Sequence, residues 1–375
     1  MKQEILRVGQ GYMPVDWYFS RLHNGHKISR VLLVSDLPLD SLEITRYFRD
    51  MPYWLGVKIV PFDQFKPNPD YESVVKGVRV YKINQCDAVV AIGGGSAMDV
   101  AKCIKMFATL DENKNYLEQE IIPNDIPFLA VPTTAGTGSE ATRFAIVYYQ
   151  GIKHSITDES CIPDAVVMDP NVLKTLPDYQ RKATMLDALC HAIESYWAVA
   201  STEESRGYSA EAIKLIFDNV FGYLANNPKQ NEQMLRAANL AGKAINITRT
   251  TAPHAMGYNL TSVYGTAHGH AVALCMKQIF PLTIDRAFVS CNDPRGADYL
   301  EGVLREMAKL MGCQTAAAAS KKFSEFVDGL ELEKPQFTEG DFEKFTNVVN
   351  PDRLANHPVK IDASEINDIY RQILA

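Results

Sequence analysis

An α/β domain followed by an all-helical domain is the architecture this sequence predicts, on three observations. Residues 30–131 alternate short apolar runs with stretches of helical periodicity, the rhythm of a parallel sheet covered by helices. After Pro170 the strand-like runs stop and long helical patterns take over. At 375 residues the chain has the length for two domains. The boundary falls near residues 170–177, dividing an α/β domain, 1–173, from a helical domain, 174–375.

The elements follow in order. Residues 30–35, RVLLVS, read as a strand that Asp36 closes, and a helix is expected over 41–51. Residues 57–61, VKIVP, form a second strand, and 70–84 carry apolar positions near helical spacing. Residues 87–92, DAVVAI, are apolar on both faces, as in a strand buried on two sides. This strand runs into Gly93-Gly94-Gly95-Ser96 and then a helix, AMDVAKCIKMFA. Residues 128–131 make another short strand, ending in PTTAGTGSEAT. Residues 143–169 are β-rich, with a hairpin turn at Gln150-Gly151. Beyond them, helices are expected at 178–200, 203–225 and 229–248, and again at 296–311, 315–328, 338–348 and 361–374.

Two loops, each following a strand, are what a dinucleotide needs, because ligands bind at the carboxyl ends of strands in open α/β sheets. Glycines at the Gly93–Ser96 junction let backbone N–H groups approach a pyrophosphate, and the helix N-terminus favours negative charge. The pattern is not GxGxxG, and a glycine-rich turn that only joins strand to helix would look the same. The second loop is rich in hydroxyls and suits a ribose, phosphate or amide. At Asp36 a carboxylate can accept from an adenosine ribose and would repel a 2′-phosphate, which favours NAD(H) over NADP(H). An aspartate in a turn or at a helix N-terminus is the plainer alternative.

The stretch TAPHAMGYNLTSVYGTAHGHAV, residues 251–272, holds three of the eight histidines: His254, His268 and His270. Upstream, in MLDALCHAIESYW, Asp187 and His191 are four residues apart and so share one face of a helix. One carboxylate and two or three imidazoles make a ligand set for a divalent ion such as iron or zinc, and helical bundles assemble such sites in their cores. A lone histidine at helical spacing is more often a core or surface residue, so the argument rests on the clustering. The pair at 268 and 270 can chelate together in a loop or point apart.

Composition narrows the partners. The charge balance is mildly acidic, 45 acidic against 38 basic residues, with no Lys/Arg block to suggest a nucleic-acid surface. Seven scattered cysteines with no CxxC read as reduced thiols of a cytoplasmic protein. No signal peptide is expected from MKQEILRVGQGYMP, and no apolar run is long enough to span a bilayer.

Taken together, the residues resemble the iron-dependent, group III alcohol dehydrogenases across essentially the whole chain. The likeness is carried by GGGSAMDVAK at 93–102, PTTAGTGSEAT at 132–142, LDALCHAIESY at 186–196 and HAMGYNLTSVYGTAHG at 254–269. It implies the dehydroquinate synthase-like fold with an active site in the cleft between domains. It also implies Fe2+, or Zn2+, on Asp187, His191, His254 and His268. His270 is left out because positions 254 and 268 keep the family's spacing of fourteen. The diphosphate loop falls on Gly93, Gly94, Gly95 and Ser96 with Asp99 beside it. Nicotinamide and ribose contacts fall on Thr133, Thr134, Thr137 and Ser139, and a family lysine near the cofactor matches Lys153. One position departs: where the family carries a proton-relay histidine, four residues after the third ligand, this chain has Tyr258. A phenol is a poorer shuttle at neutral pH, and His270 is the candidate replacement. Members are often dimers or larger.

The implied reaction is reversible hydride transfer between a nicotinamide and a carbonyl carbon. For the substrate, Arg249 lies five residues before His254. Arg353 and Asn356 fall in the family's pocket-lining segment, and Arg143 follows the second cofactor loop. Arginines near a pocket suggest a clamp for an anionic substrate; surface arginines or structural ion pairs are the plainer reading. The run ITRTTAPHAMGYNLTSVYGTAHGHAVAL, with STEES at 201–205, looks most like the branch that reduces phosphonoacetaldehyde to 2-hydroxyethylphosphonate. Sulfoacetaldehyde or a plain short-chain aldehyde or alcohol would also suit. A dehydroquinate synthase-like lyase would need more basic residues and uses three protein ligands, and an intact ligand set argues against a non-catalytic nucleotide-binding protein.

Overall fold

The computed structural model describes residues 3–9, 11–335 and 349–374. The expected helix at 338–348 lies outside them. Its strands are β1 (Glu4–Arg7), β2 (Leu22–His23), β3 (His26–Lys27), β4 (Arg30–Ser35), β5 (Lys58–Phe62), β6 (Ala88–Gly93), β7 (Phe128–Pro132), β8 (Phe144–Tyr149), β9 (Ile152–Thr157) and β10 (Ala165–Met168). Its α-helices are α1 (Met13–Ser20), α2 (Glu43–Asp50), α3 (Pro52–Leu55), α4 (Tyr71–Ile83), α5 (Gly95–Phe107), α6 (Asp178–Trp197), α7 (Glu203–Leu224), α8 (Pro228–Thr248), α9 (Ala252–Tyr264), α10 (His268–Arg286), α11 (Ala297–Leu310), α12 (Ala316–Gly329), α13 (Pro351–Ala355) and α14 (Ala363–Leu374). They fall into two compact units, Met1–Thr134 with Gly138–Leu176, and Ala135–Thr137 with Pro177–Ala375.

The first unit is built on a six-stranded parallel sheet, order β1-β10-β7-β6-β4-β5. Every residue of β6 and β7 is buried, as expected of a parallel sheet covered on both faces. Chain order runs outward from β4 to β5 on one side and from β6 to β7 on the other, so the direction of winding switches between β4 and β6. That is where an open α/β sheet offers a ligand crevice. β6 and β7 end in register at Gly93 and Pro132, and Thr133 N–H donates to Gly93 O at 3.0 Å, which sets the two loops side by side.

Some of this was not expected. β1 and α1 are too short for their periodicity to show, and α1 starts with no side-chain cap. The β-rich stretch divides in two: β8 and β9 form a separate antiparallel hairpin, while β10 joins the main sheet. Gln150 and Gly151 have φ of 52° and 78°, the positive pair of a type I′ hairpin turn.

Among the described residues the second unit's regular elements are helices, with one isolated bridge between Cys291 and Val359. α7 begins on a capping box in which Thr202 and Ser205 exchange hydrogen bonds, and Asn227 caps α8. α9 and α10 have no counterpart among the sequence-based helices. Ala252–Gly257 and Gly269–Met276 are continuously buried, so no polar face marks their period. α9, α10 and α14 share a core of Met256, Leu260, Leu274, Ile279, Ile369 and Tyr370. The Tyr370 hydroxyl donates to Met256 O at 2.9 Å, tying the last helix to the one that carries His254.

Candidate metal centre

Three helices of the second unit bring the candidate ligands together. Asp187 and His191 lie one turn apart on α6, His254 opens α9, and His268 is the first residue of α10. Ligand atoms of Asp187, His254 and His268 all lie within 4.8 Å of one another. His191 stands beside this trio: its Nε2 is 4.0 Å from Asp187 Oδ1, and its ring stacks on His254 with centroids 4.3 Å apart. His268 and His270 share a helix, two positions apart, and point apart accordingly.

Close approach of α10 to α6 makes this possible. A Cβ at Gly269 would sit 2.0 Å from Ala183 O and 2.6 Å from Asp187 Cβ, so only glycine lets the start of α10 rest on the α6 backbone. This contact carries His268 to Asp187. Neither Gly269 nor its role was expected.

The donor set fits a divalent ion. His254 Nε2 and Asp187 Oδ1 are buried 3.4 Å apart, and neither has a hydrogen-bond partner. A buried polar atom without a partner costs about 1–3 kcal/mol, and a cation would satisfy these. One carboxylate with imidazoles is the ligand chemistry of iron or zinc.

Glu194, missed from the sequence, orients this set. It lies on the α6 face of Asp187 and His191, at i+7 from the aspartate, and is fully buried. Its Oε1 is hydrogen-bonded to His254 Nδ1. Its Oε2 accepts from Thr251 N–H at 2.6 Å and Thr251 Oγ1 at 2.9 Å. Engaging Nδ1 fixes the imidazole so that Nε2 faces Asp187. Burial alone would push His254 down, but the charges of Glu194 and Asp187 outweigh it and raise the imidazole to about 9. Burial would likewise raise Asp187, yet the three histidines hold it well below the carboxylate range. His191 is pushed down to about 4 by burial, partly offset by Asp187.

The proton-relay candidates sit differently. His270 is buried, its Nδ1 3.3 Å from the Tyr179 hydroxyl, and burial pushes it down to about 4, so it is neutral and engaged. That hydroxyl also accepts from Ala267 N–H at 3.0 Å, fastening the start of α10 to α6. Tyr258 is half-buried on α9, one turn after His254.

In the first unit, Gly93 (φ 159°) leaves no room for a side chain: a Cβ would meet Ala97 Cβ at 2.6 Å and Asp36 Oδ1 at 3.1 Å. Gly94 caps α5 and Gly95 begins it, so the N–H groups of the first turn are presented at the strand end. Asp36 is exposed beside them, and Ser96 Oγ accepts from Asn68 N–H at 3.4 Å. Asp99 accepts from Ser139 Oγ at 3.2 Å and is raised to about 6 by burial, against the opposing charges of Lys102 and Lys153. Lys102 Nζ donates to Ser139 Oγ at 3.2 Å and to the carbonyls of Thr142 and Phe144 at 2.7 Å each. That buried web shapes the second loop. Thr133 is buried and Thr134 half-buried in this unit, while Thr137 groups with the second.

The four substrate candidates part ways. Arg143 is ion-paired with Glu159 at 2.7 Å in the first unit, so its charge is already met. Both amide hydrogens of Asn356 go to backbone carbonyls, which makes it a brace where a substrate contact was expected. Arg353, half-buried on α13, reaches His254 O at 3.4 Å, and Arg249 is exposed at the end of α8.

Comparison with known proteins bears on what this arrangement does. The profile "Iron-containing alcohol dehydrogenase" matches residues 18–170, and "Fe-containing alcohol dehydrogenase family, C-terminal" matches 182–374. Alcohol dehydrogenase 4 of Schizosaccharomyces pombe is 31% identical over 84% of this chain and 75% of its own length. Phosphonoacetaldehyde reductase of Streptomyces viridochromogenes is 30% identical over 79% of this chain and 78% of its own. Some relatives are far longer: the chain spans 37% of aldehyde-alcohol dehydrogenase 2 from Entamoeba histolytica, at 28% identity over 81% of this chain. The crystal structure of sulfoacetaldehyde reductase from Bifidobacterium kashiwanohense in complex with NAD+ has the same fold. Its TM-score is 0.83 at 24% identity, covering 100% of this chain and 97% of that one.

Proposed function

Because the chain belongs to the iron-containing alcohol dehydrogenase family and is an oxidoreductase of that family, we propose that it reduces a short anionic aldehyde, phosphonoacetaldehyde, to 2-hydroxyethylphosphonate. NAD(H) carries the hydride, and an iron ion supplies Lewis acidity toward the carbonyl oxygen. Asp187, His191, His254 and His268 would hold the ion, with Glu194 fixing the His254 ring. Gly93–Ser96 would bind the diphosphate through the N–H groups of the α5 N-terminus, and Asp36 would accept from the adenosine ribose. Thr133, Thr134, Thr137 and Ser139 supply hydroxyls toward the rest of the cofactor, with Lys153 and Asp99 adjusting the charge there. Tyr258 is the candidate to pass a proton, since His270 is neutral and bonded to Tyr179.

One observation carries the anionic substrate. Arg353 reaches His254 O at 3.4 Å and is pushed down by burial; the Glu194 charge opposes this, and the Arg249 charge adds a smaller push downward. Two guanidinium groups within each other's field repel, and an arriving phosphonate relieves the repulsion while accepting charge-assisted hydrogen bonds. The likeness to a phosphonoacetaldehyde reductase supports the same choice. A sulfonate would satisfy the same pair, which makes sulfoacetaldehyde the second reading. The cysteines are all free, in keeping with a reducing cytoplasm, where we place the enzyme as a homo-oligomer.

The test is NADH oxidation with phosphonoacetaldehyde, sulfoacetaldehyde and propanal, before and after chelation. The proposal expects the phosphonate to give the highest kcat/KM, and turnover to vanish with the chelator and return with ferrous ion. Equal kcat/KM for all three aldehydes would remove the anion clamp, and full turnover without metal would remove the ion.

A further inference from the structure

α8 ends on a backbone conformation that an arginine adopts only at a cost. Arg249 has φ 61° and ψ −175°, a region occupied essentially by glycine. Its N–H donates to Ile245 O at 2.7 Å, and its carbonyl accepts from Thr248 Oγ1 at 2.6 Å. A glycine would rest here without strain, so an arginine at this position implies a use for the side chain.

Asn356, at the end of α13, closes around this residue. Its Nδ2 donates to Thr248 O at 2.8 Å and to Thr250 O at 3.1 Å, the carbonyls on either side of Arg249. Its Oδ1 accepts from Ala200 N–H at 3.0 Å, and its own carbonyl accepts from Val199 N–H at 3.0 Å. One carboxamide therefore pins three segments: the turn after α6, the break between α8 and α9, and the end of α13. No donor is left over for a ligand.

We infer that Asn356 is a positioning residue for substrate selectivity: it holds residue 249 in its strained backbone, so that the Arg249 guanidinium is presented with Arg353 to the charged end of the aldehyde. This rests on the reading of Arg249 as an anion-binding residue. A strained residue persists only where its surroundings over-determine it. Without the two Nδ2 bonds, φ can return to negative values, and the Arg249 side chain then leaves in another direction. Arg353 alone would remain, as a weaker site.

The experiment measures kcat/KM for phosphonoacetaldehyde and for propanal, with NADH and the metal-loaded full chain, in Arg249→Ala, Asn356→Ala and the double variant. Arg249→Ala should lower the phosphonate-to-propanal ratio about tenfold or more, the loss of one charged hydrogen bond. Asn356→Ala should lower it by several-fold, through KM for the phosphonate, and the double variant should fall no further than Arg249→Ala. Melting gives a second readout: Arg249→Gly should melt several degrees above Arg249→Ala. Should Asn356→Ala not fold, Asn356→Leu keeps the shape and removes the same bonds. An unchanged ratio in the Asn356 variant beside a lowered one in Arg249→Ala overturns the positioning role and leaves the clamp standing. An unchanged ratio in Arg249→Ala overturns both. Losses that multiply in the double variant would show two independent effects and also overturn the inference.

Discussion

His254 Nδ1 is hydrogen-bonded to Oε1 of Glu194, a carboxylate with no exposure to solvent. Such a carboxylate–imidazole pair fixes the ring and raises the basicity of the other nitrogen, and its loss typically costs about 10–100-fold in metal affinity. Glu194→Gln keeps the shape and removes the charge. It should bind ferrous or zinc ion roughly 10–100-fold more weakly, read by metal content after dialysis against graded chelator. Wild-type retention in the variant would reduce Glu194 to a packing residue.

Gly269→Ala should be severe. The added methyl would meet Ala183 O at 2.0 Å, and that oxygen belongs to helix backbone that cannot rotate away. Separating α10 from α6 costs packing at a contact with no spare space, on the order of 1–3 kcal/mol or more. The same shift moves His268 away from Asp187. The expectation is a melting point lower by several degrees together with substoichiometric metal. A variant of wild-type stability and metal content would mean that α10 is held elsewhere.

Two buried histidines that are not themselves candidate ligands predict how stability depends on acid. Burial pushes His270 down to about 4 and His357 down to about 3. In the unfolded chain both titrate near 6.5. Between that value and the folded one, the unfolded state binds the proton and the folded state does not, so stability falls as pH falls. Each group contributes a slope of up to about 1.4 kcal/mol per pH unit. Below about pH 6.5 the denaturation midpoint should decline steadily toward pH 4. His357 packs edge-on to Trp197 and has an unpartnered Nδ1, so His357→Phe should flatten that decline. A wild-type slope in His357→Phe would assign the acid sensitivity to other groups.

Nucleotide choice should turn on Asp36, exposed beside Gly93 at the end of β4. Asp36→Ser removes both the ribose acceptor and the repulsion toward a 2′-phosphate. We expect the NADH-to-NADPH ratio of kcat/KM to drop by on the order of tenfold. An unaltered ratio would place the adenosine ribose elsewhere.

Much of this molecule was legible because its signals are local. The β6 strand is apolar on both faces, three glycines follow it, and Asp187 and His191 are one helical turn apart; each is visible within a few residues. What escaped depends on contacts between distant segments. Glu194 was within reach, since it extends the same helical stripe by one more turn, yet a glutamate beside a ligand pattern reads as ordinary helix polarity. Gly269 matters only because Ala183 lies against it. Asn356 was expected to touch substrate and instead holds backbone from three segments, a role no single window of sequence contains. Arg143 reads in sequence either as part of an anion clamp or as one half of an ion pair, and only the fold brings Glu159 to it. α9 and α10 escaped for a different reason: burial on nearly every side removes the polar face that would have revealed their period.

All candidate ligands issue from α6, α9 and α10, whereas the glycine cradle lies between β6 and α5. The proposed function thereby gives iron and dinucleotide to different stretches of polypeptide. On that assignment, loss of the ion should leave the glycine cradle between β6 and α5 as it is.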